Sequence, residues 1–144
     1  MPALPVLTDS SREAIARDLA NAVAGEVRFG LHDRLLYATD ASLYQVEPLG
    51  VVIPSSVSDA ARAVEFCIGR GLPILPRGGG TSLAGQAVNR AVVVDLSPNC
   101  RGMGAVDVGR RLIDVEPGLT IEELNLELIR RGTGLFFAPD PATL

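Results

Sequence analysis

The sequence predicts a small α/β (α+β-like) domain in which helices cover a mixed β-sheet. Three observations predict this class. A strand, a helix and a strand follow one another over residues 51–75, an apolar strand occupies 91–96, and helical patterns span 58–70 and 120–131. The length of 144 residues, with 47% hydrophobic and 21% charged side chains, is typical of one folded domain with its own core.

The first element that the sequence predicts is an amphipathic helix over residues 10–24. Ser10 and Glu13 have the spacing of a capping box, in which each residue satisfies a main-chain N–H group of the first turn. Gly25 is the predicted end of this helix. Residues 30–50 have no clear periodicity, so we expect a mostly irregular segment there.

A βαβ unit is predicted next. The β-branched run Val51–Ile53 is a predicted buried strand, the following helix starts at Ser58, and Leu72–Leu75 forms the second strand. A proline closes each strand, and the links to the helix are short. This arrangement predicts that the two strands run parallel.

The rest of the chain is predicted to add three strands and one helix. The strands are expected at 91–96, 103–108 and 111–115. Thr120 and Glu123 form a second capping box, which opens a helix that ends at Arg131. We expect this helix and the one at 58–70 to cover the sheet, whereas the pattern does not determine the strand order.

The charged residues exclude several kinds of chemistry. All 13 basic residues are arginine, so the chain has no lysine for a Schiff base. The net charge of −4 and the lack of a basic cluster argue against nucleic-acid binding.

The cysteines and the N-terminus predict a cytoplasmic protein. Cys67 and Cys100 are the only cysteines, and with a single histidine in the chain they cannot complete a zinc site. A disulfide framework is not expected, which favours a reducing compartment. No signal peptide and no apolar run of about 20 residues is visible, so we expect no membrane span.

One segment of the sequence predicts chemistry, and it is the glycine-rich loop that follows the strand at 72–75. Its residues 76–86 read PRGGGTSLAGQ. Three successive glycines let main-chain N–H groups point into one concavity, which suits an anion. Thr81 and Ser82 add hydroxyl donors and Arg77 adds positive charge, so a phosphate or pyrophosphate is the expected ligand.

Three other kinds of glycine loop fit less well. A Walker loop needs a lysine where Gln86 stands, and a nicotinamide-dinucleotide loop needs its third glycine at Leu83. A nucleophile elbow needs a glycine at Ala84, and it would have only His32 as a base. A flexible turn without any ligand remains an open alternative.

The loop resembles the pyrophosphate loop of FAD-linked oxidases of the vanillyl-alcohol-oxidase (PCMH) type. The most similar branch contains glycolate oxidase, D-lactate dehydrogenase and D-2-hydroxyglutarate dehydrogenase. Four other stretches resemble this branch in the same order, at residues 37–44, 48–54, 115–118 and 139–141. The resemblance spans about residues 30–144, and five motifs in sequence order make it specific.

This resemblance implies that the chain binds FAD. Relatives with a covalent flavin carry a histidine in the loop where this chain has Thr81, so the resemblance implies non-covalent FAD. It implies no catalytic residue and no metal ligand within this chain. The implied cofactor-binding residues are Pro76, Arg77, Gly78, Gly79, Gly80, Thr81, Ser82, Leu83, Gly85, Gln86, Pro139, Asp140 and Pro141.

The resemblance also implies a domain organisation. Residues 1–29 are expected to be an N-terminal extension with an amphipathic helix, and 30–144 the first subdomain of a PCMH-type FAD-binding domain. The second subdomain and the substrate domain are expected outside this sequence. We therefore expect a fragment of an enzyme that oxidises a 2-hydroxy acid such as D-lactate or glycolate, inactive alone. The alternative is a stand-alone binding or interaction module that kept the fold but lost the flavin.

Overall fold

Four helices and two sheets make up residues 8–138, the part of the chain that this computed structural model describes. The helices are α1 (Asp9–Ala22), α2 (Leu31–Leu36), α3 (Val57–Gly69) and α4 (Ile121–Arg130). The strands are β1 (Glu26–Arg28), β2 (Gly50–Ile53), β3 (Ile74–Arg77), β4 (Val92–Asp95), β5 (Met103–Asp107) and β6 (Leu112–Val115). None of these helices is long and apolar enough to cross a membrane.

The larger sheet is mixed and has the strand order β1-β2-β4-β3. β1 runs antiparallel to β2, whereas β2 and β3 both run parallel to β4. The predicted parallel direction of the two strands around α3 is therefore confirmed. They are not neighbours, because β4 lies between them and pairs with both. The smaller sheet is the antiparallel hairpin of β5 and β6.

The core lies on both faces of the two central strands, β2 and β4, in which every residue is buried. Successive side chains of a strand point to opposite faces. On one face Val52, Val92 and Val94 pack with residues of α1 and α3, and the other face carries Val51, Ile53 and Val93. The mixed sheet with covering helices is thus confirmed.

The helix at 120–131 does not cover this sheet, so that part of the prediction was wrong. The buried α4 residues Leu124 and Leu128 belong to neither of the two core clusters. Instead α1 covers the sheet beside α3, with Ile15 and Leu19 in the same cluster as Val52. The hydrophobic stripe of a helix shows that it is buried, but it does not show against which partner.

Two predicted helix starts lie too late in the sequence. Thr8, and not Ser10, caps α1, because its Oγ1 accepts a hydrogen bond from the Ser11 N–H group at 3.3 Å. Ser56, and not Ser58, caps α3. Each helix is preceded by several serine or threonine residues that can all act as a cap, so the pattern does not select one. The capping box of Thr120 with Glu123 is confirmed at the start of α4.

Two short elements, β1 and α2, were not predicted. β1 has three residues, which is too short for a period-two pattern to be visible. α2 has six residues inside the segment expected to be irregular, and its N-cap residue Gly30 offers no side-chain hydrogen bond. Residues 9–28 thus form helix α1 and strand β1, and β1 is an edge strand of the main sheet.

A buried carboxylate, Asp59, joins the end of α1 to the turn between β2 and α3. Its two oxygens accept hydrogen bonds from the N–H groups of Ala24, Gly25 and Ser55, each at 2.8 Å. The close approach of these segments also requires Gly25, since a Cβ atom there would lie 2.1 Å from the Ile53 carbonyl oxygen. Burial by itself would raise the pKa of Asp59, but these N–H donors outweigh burial and lower it to about 2.

Candidate functional site

The glycine loop lies at the carboxyl edge of the main sheet. Since β2, β3 and β4 are parallel, their carboxyl ends share one edge, and β3 leads directly into residues 78–90. In open α/β sheets this edge is where ligands bind. The position of the loop is therefore that of a ligand site.

The first two predicted site residues, Pro76 and Arg77, lie within β3 and not after it. Pro76 pairs with Val94 and Arg77 with Asp95. A proline is tolerated here because β3 is an edge strand, in which one row of N–H groups has no neighbour to bond. The other described site residues form an irregular loop in which Leu83 is 80% exposed. Pro139, Asp140 and Pro141 lie outside the described residues.

Two glycines of the loop are required by the packing of the chain itself. Gly80 has φ +68°, and a Cβ atom there would lie 2.4 Å from an Arg77 guanidinium nitrogen. Gly85 has φ +77°, and its Cβ would lie 2.7 Å from the Tyr44 ring. Both positions combine a left-handed backbone with a close neighbour, so any other residue strains the loop.

Gly78 and Gly79, in contrast, are not required by any contact within the described residues. Neither has a positive φ. A Cβ atom at Gly78 would meet no atom within 4 Å, and one at Gly79 would only touch the Thr81 methyl group at 3.6 Å. Two exposed glycines with room for a side chain leave the main chain open to the close approach of a ligand.

The N–H groups of this open stretch are available to an anion. Within residues 8–138, the structure shows no hydrogen bond donated by the main-chain N–H groups of residues 78–83. The next turn is held by Ser82, whose Oγ accepts from the N–H groups of Ala84 and Gln86 and donates to the Gln86 side chain. A fixed turn beside a row of N–H donors is the arrangement of main-chain anion sites.

The Arg77 side chain folds back against the protein. Its guanidinium group donates to the carbonyl oxygens of Ala87 at 2.7 Å and Thr39 at 2.9 Å. The same group lies 5.3 Å from the centre of the Tyr37 ring. Arg77 thus connects the end of the loop to the segment at 37–39.

Residues 37–44 form a second wall of the site, which we call the 37–44 wall. The Asp40 carboxylate accepts from the Ser42 N–H group at 2.9 Å and from the Ala87 N–H group at 3.2 Å. The Ala41 N–H group donates to the Gly80 carbonyl oxygen at 3.1 Å. These hydrogen bonds, chiefly those of Ser42, hold the pKa of Asp40 below its ordinary value.

Sequence reasoning did not place this wall in the site. The segment resembles the FAD-linked oxidases in sequence, and this resemblance is the signal that could have identified it as a neighbour of the loop. No periodicity or spacing within the chain predicts the contact, because 40 residues separate Tyr37 from Arg77.

Tyr37 and Asp95 link the wall to the central strand β4. The Tyr37 hydroxyl donates to the Asp95 carboxylate at 2.6 Å, and Asp95 is only 6% exposed. Burial, followed by this hydrogen bond, raises the pKa of Tyr37 to about 12. Tyr37 therefore remains protonated, and its hydrogen bond to Asp95 fixes the position of the ring on which Arg77 rests.

A cavity of about 720 Å³ lies elsewhere, between α1 and the start of α2. None of the predicted site residues within 8–138 lines it. Two of its three arginines, Arg12 and Arg34, are paired with Asp9 and Glu47. The predicted site is an open loop surface and not this cavity.

The chain is similar to known proteins in both sequence and fold. The family described as “FAD binding domain” matches residues 48–144. The chain is 34% identical to D-2-hydroxyglutarate dehydrogenase of Haemophilus influenzae over 83% of its own length, and 31% identical to glycolate oxidase subunit GlcD of Bacillus subtilis over 77%. Its fold is similar to that of 4-ethylphenol oxidase from Gulosibacter chungangensis, with a TM-score of 0.75 at 17% identity.

The chain is much shorter than these relatives. It spans 12% of the D-2-hydroxyglutarate dehydrogenase, 24% of the glycolate oxidase subunit and 28% of the 4-ethylphenol oxidase chain. The structural alignment covers 95% of this chain. The similarity therefore concerns one part of each larger protein.

Proposed function

Because the chain belongs to the FAD binding domain family, whose cofactor is FAD, we propose that its glycine loop binds the FAD pyrophosphate. The binding groups in this proposal are the N–H groups of residues 78–83, together with the hydroxyls of Thr81 and Ser82. Leu83, Gly85 and Gln86 complete the loop, and Pro139, Asp140 and Pro141 are proposed as further contacts.

The observation that carries the proposal is the open backbone at Gly78 and Gly79. Nothing within the described residues needs a glycine there, yet each position leaves the N–H groups approachable. A pyrophosphate needs such an approach, because a side chain at either position would stand between the main chain and the phosphate oxygens. The residues present therefore fit the cofactor of the family.

The proposed binding is non-covalent. Thr81 occupies the loop position at which the resemblance places the histidine of covalent relatives, and a threonine hydroxyl is not an equivalent nucleophile at neutral pH. We expect all flavin to separate from the chain on denaturation, leaving none attached to the protein.

The similarity to D-2-hydroxyglutarate dehydrogenase and glycolate oxidase supports a role in oxidising a 2-hydroxy acid. The flavin supplies the redox chemistry when bound, and the residues of this chain bind and orient it. Since the chain spans a small share of these relatives, we propose that it does not oxidise D-lactate by itself. Turnover of D-lactate by the purified chain with an artificial electron acceptor would contradict this.

A titration with matched ligands tests the proposed function. We expect saturable binding of FAD, measured by calorimetry and by the change in flavin fluorescence. ADP, which has the diphosphate but no flavin, should compete with FAD. Riboflavin, which has the flavin but no phosphate, should bind at least about tenfold more weakly, because it cannot use the loop N–H groups.

The same titration separates the alternatives. Binding of riboflavin as tight as that of FAD would overturn the assignment of the loop to the pyrophosphate. A folded chain that binds none of the three ligands would favour the stand-alone module without flavin.

A further inference from the structure

We propose that Arg77 is a positioning residue, which holds the glycine loop in its binding shape without contacting the phosphates. This inference rests on the proposed function, because the shape matters through the FAD that the loop binds. It replaces the expectation that Arg77 supplies positive charge directly to the anion.

The first support is the direction of the guanidinium group. Its two short hydrogen bonds go to the carbonyl oxygen of Ala87, just after the loop, and to that of Thr39 in the 37–44 wall. The Tyr37 ring lies beside it and is itself fixed by Asp95. The donors of this guanidinium group are therefore engaged by carbonyl oxygens of the chain itself, and its face rests on an aromatic ring.

The second support is the way in which the loop wraps around this group. A Cβ atom on Gly80 would lie 2.4 Å from a guanidinium nitrogen of Arg77, so the backbone at Gly80 passes directly over the side chain. Two hydrogen bonds connect this stretch to the 37–44 wall. The Ala41 N–H group donates to the Gly80 carbonyl oxygen, and the Ala87 N–H group donates to the Asp40 carboxylate. Arg77 therefore packs directly against the loop backbone at Gly80, within a stretch that the 37–44 wall also holds.

The chemistry of arginine explains why this residue stands here. A planar guanidinium group donates in two directions at once and stacks on a ring, whereas a lysine ammonium group is a single point of charge. Arg77→Lys keeps the charge but cannot bridge Ala87 and Thr39 while resting on Tyr37. The conservative variant thus separates a positioning role from a charge role.

Arg77→Lys is the first test, with Arg77→Gln for comparison. We expect both variants to bind FAD about tenfold or more weakly, because each loses the two bridging hydrogen bonds. In the FAD-free protein, amide hydrogen exchange at Ala41 and Ala87 should become faster in both. If Arg77→Lys keeps the wild-type FAD affinity while Arg77→Gln loses it, Arg77 acts by charge and the inference is wrong.

Asp40→Ala is the second test, which remains informative if the Arg77 variants do not fold. Asp40 fixes the same loop end at Ala87. Removing its negative charge near an anion site would tighten FAD binding if charge alone mattered, whereas a loosened loop weakens it. We expect weaker binding, and tighter binding would overturn the inference. The exchange measurement needs no FAD, so a wild-type chain that fails to bind FAD would refute the proposed function separately.

Discussion

Gly79→Asp is expected to abolish saturable FAD binding while leaving the fold intact. A Cβ atom at this position meets only the Thr81 methyl group at an ordinary contact distance, so the backbone accepts the side chain. The new carboxylate would lie among the N–H groups proposed for the pyrophosphate and repel it. We expect the affinity to fall by about a hundredfold or more, since like charges in such a site cost several kcal/mol. Calorimetry measures the affinity, and thermal unfolding checks the fold.

Gly69→Asp is the matched control for this variant. Gly69, at the end of α3, also has an ordinary φ and no atom within 4 Å of an added Cβ. It lies outside the loop, so the same change in charge should leave the FAD affinity within about twofold of wild type. Equal losses of FAD affinity in both variants would indicate a general effect of charge. Unchanged FAD binding by Gly79→Asp would show that the loop does not bind the pyrophosphate.

Asp59→Ala is expected to produce a large loss of stability. The carboxylate is fully buried and accepts from three main-chain N–H groups, which the variant leaves without a partner. Unsatisfied buried groups of this kind cost about 1–3 kcal/mol each, and removal of one member of a buried charged network costs about 3–5 kcal/mol. We expect a loss of about 3–5 kcal/mol in the free energy of unfolding, measured by urea denaturation.

The stability should also depend on pH through Asp59. Its pKa in the folded protein is lowered to about 2 from its ordinary value of 3.8. The stabilising contribution is therefore complete above pH 3.8 and is lost as the pH falls from 3.8 toward 2. The difference corresponds to about 2 kcal/mol. This acid-dependent part should disappear in Asp59→Ala.

Glu65→Gln is the control on the same helix, because Glu65 is exposed. It should change the free energy of unfolding by less than about 0.5 kcal/mol and keep the acid dependence of wild type. A stable Asp59→Ala variant with the wild-type acid profile would show that Asp59 does not join α1 to the β2–α3 turn.

Local signals in the sequence predicted the elements that depend on local chemistry. The capping box at Thr120 places the start of α4, and the valines of β2 and β4 identify the buried central strands. Strand order could not be predicted in this way. The insertion of β4 between β2 and β3 depends on contacts between residues that are far apart in the chain.

In the candidate site, too, local features were predictable and contacts between distant residues were not. Three successive glycines after a strand predicted an anion loop, and the structure gives that loop open N–H groups. The direction of Arg77 could not be predicted, because the carbonyls of Thr39 and Ala87 reach it only in the folded protein. Sequence alone supplies the charge of a side chain, whereas its direction is a tertiary property.

The most direct test of the central claim is to follow the main-chain amide signals of the chain by NMR during titration with FAD. If the loop holds the pyrophosphate, the largest changes should fall on residues 78–83, and ADP should produce the same changes whereas riboflavin does not. Saturable FAD binding that shifts the residues between α1 and α2 while those of the loop stay unchanged would contradict it.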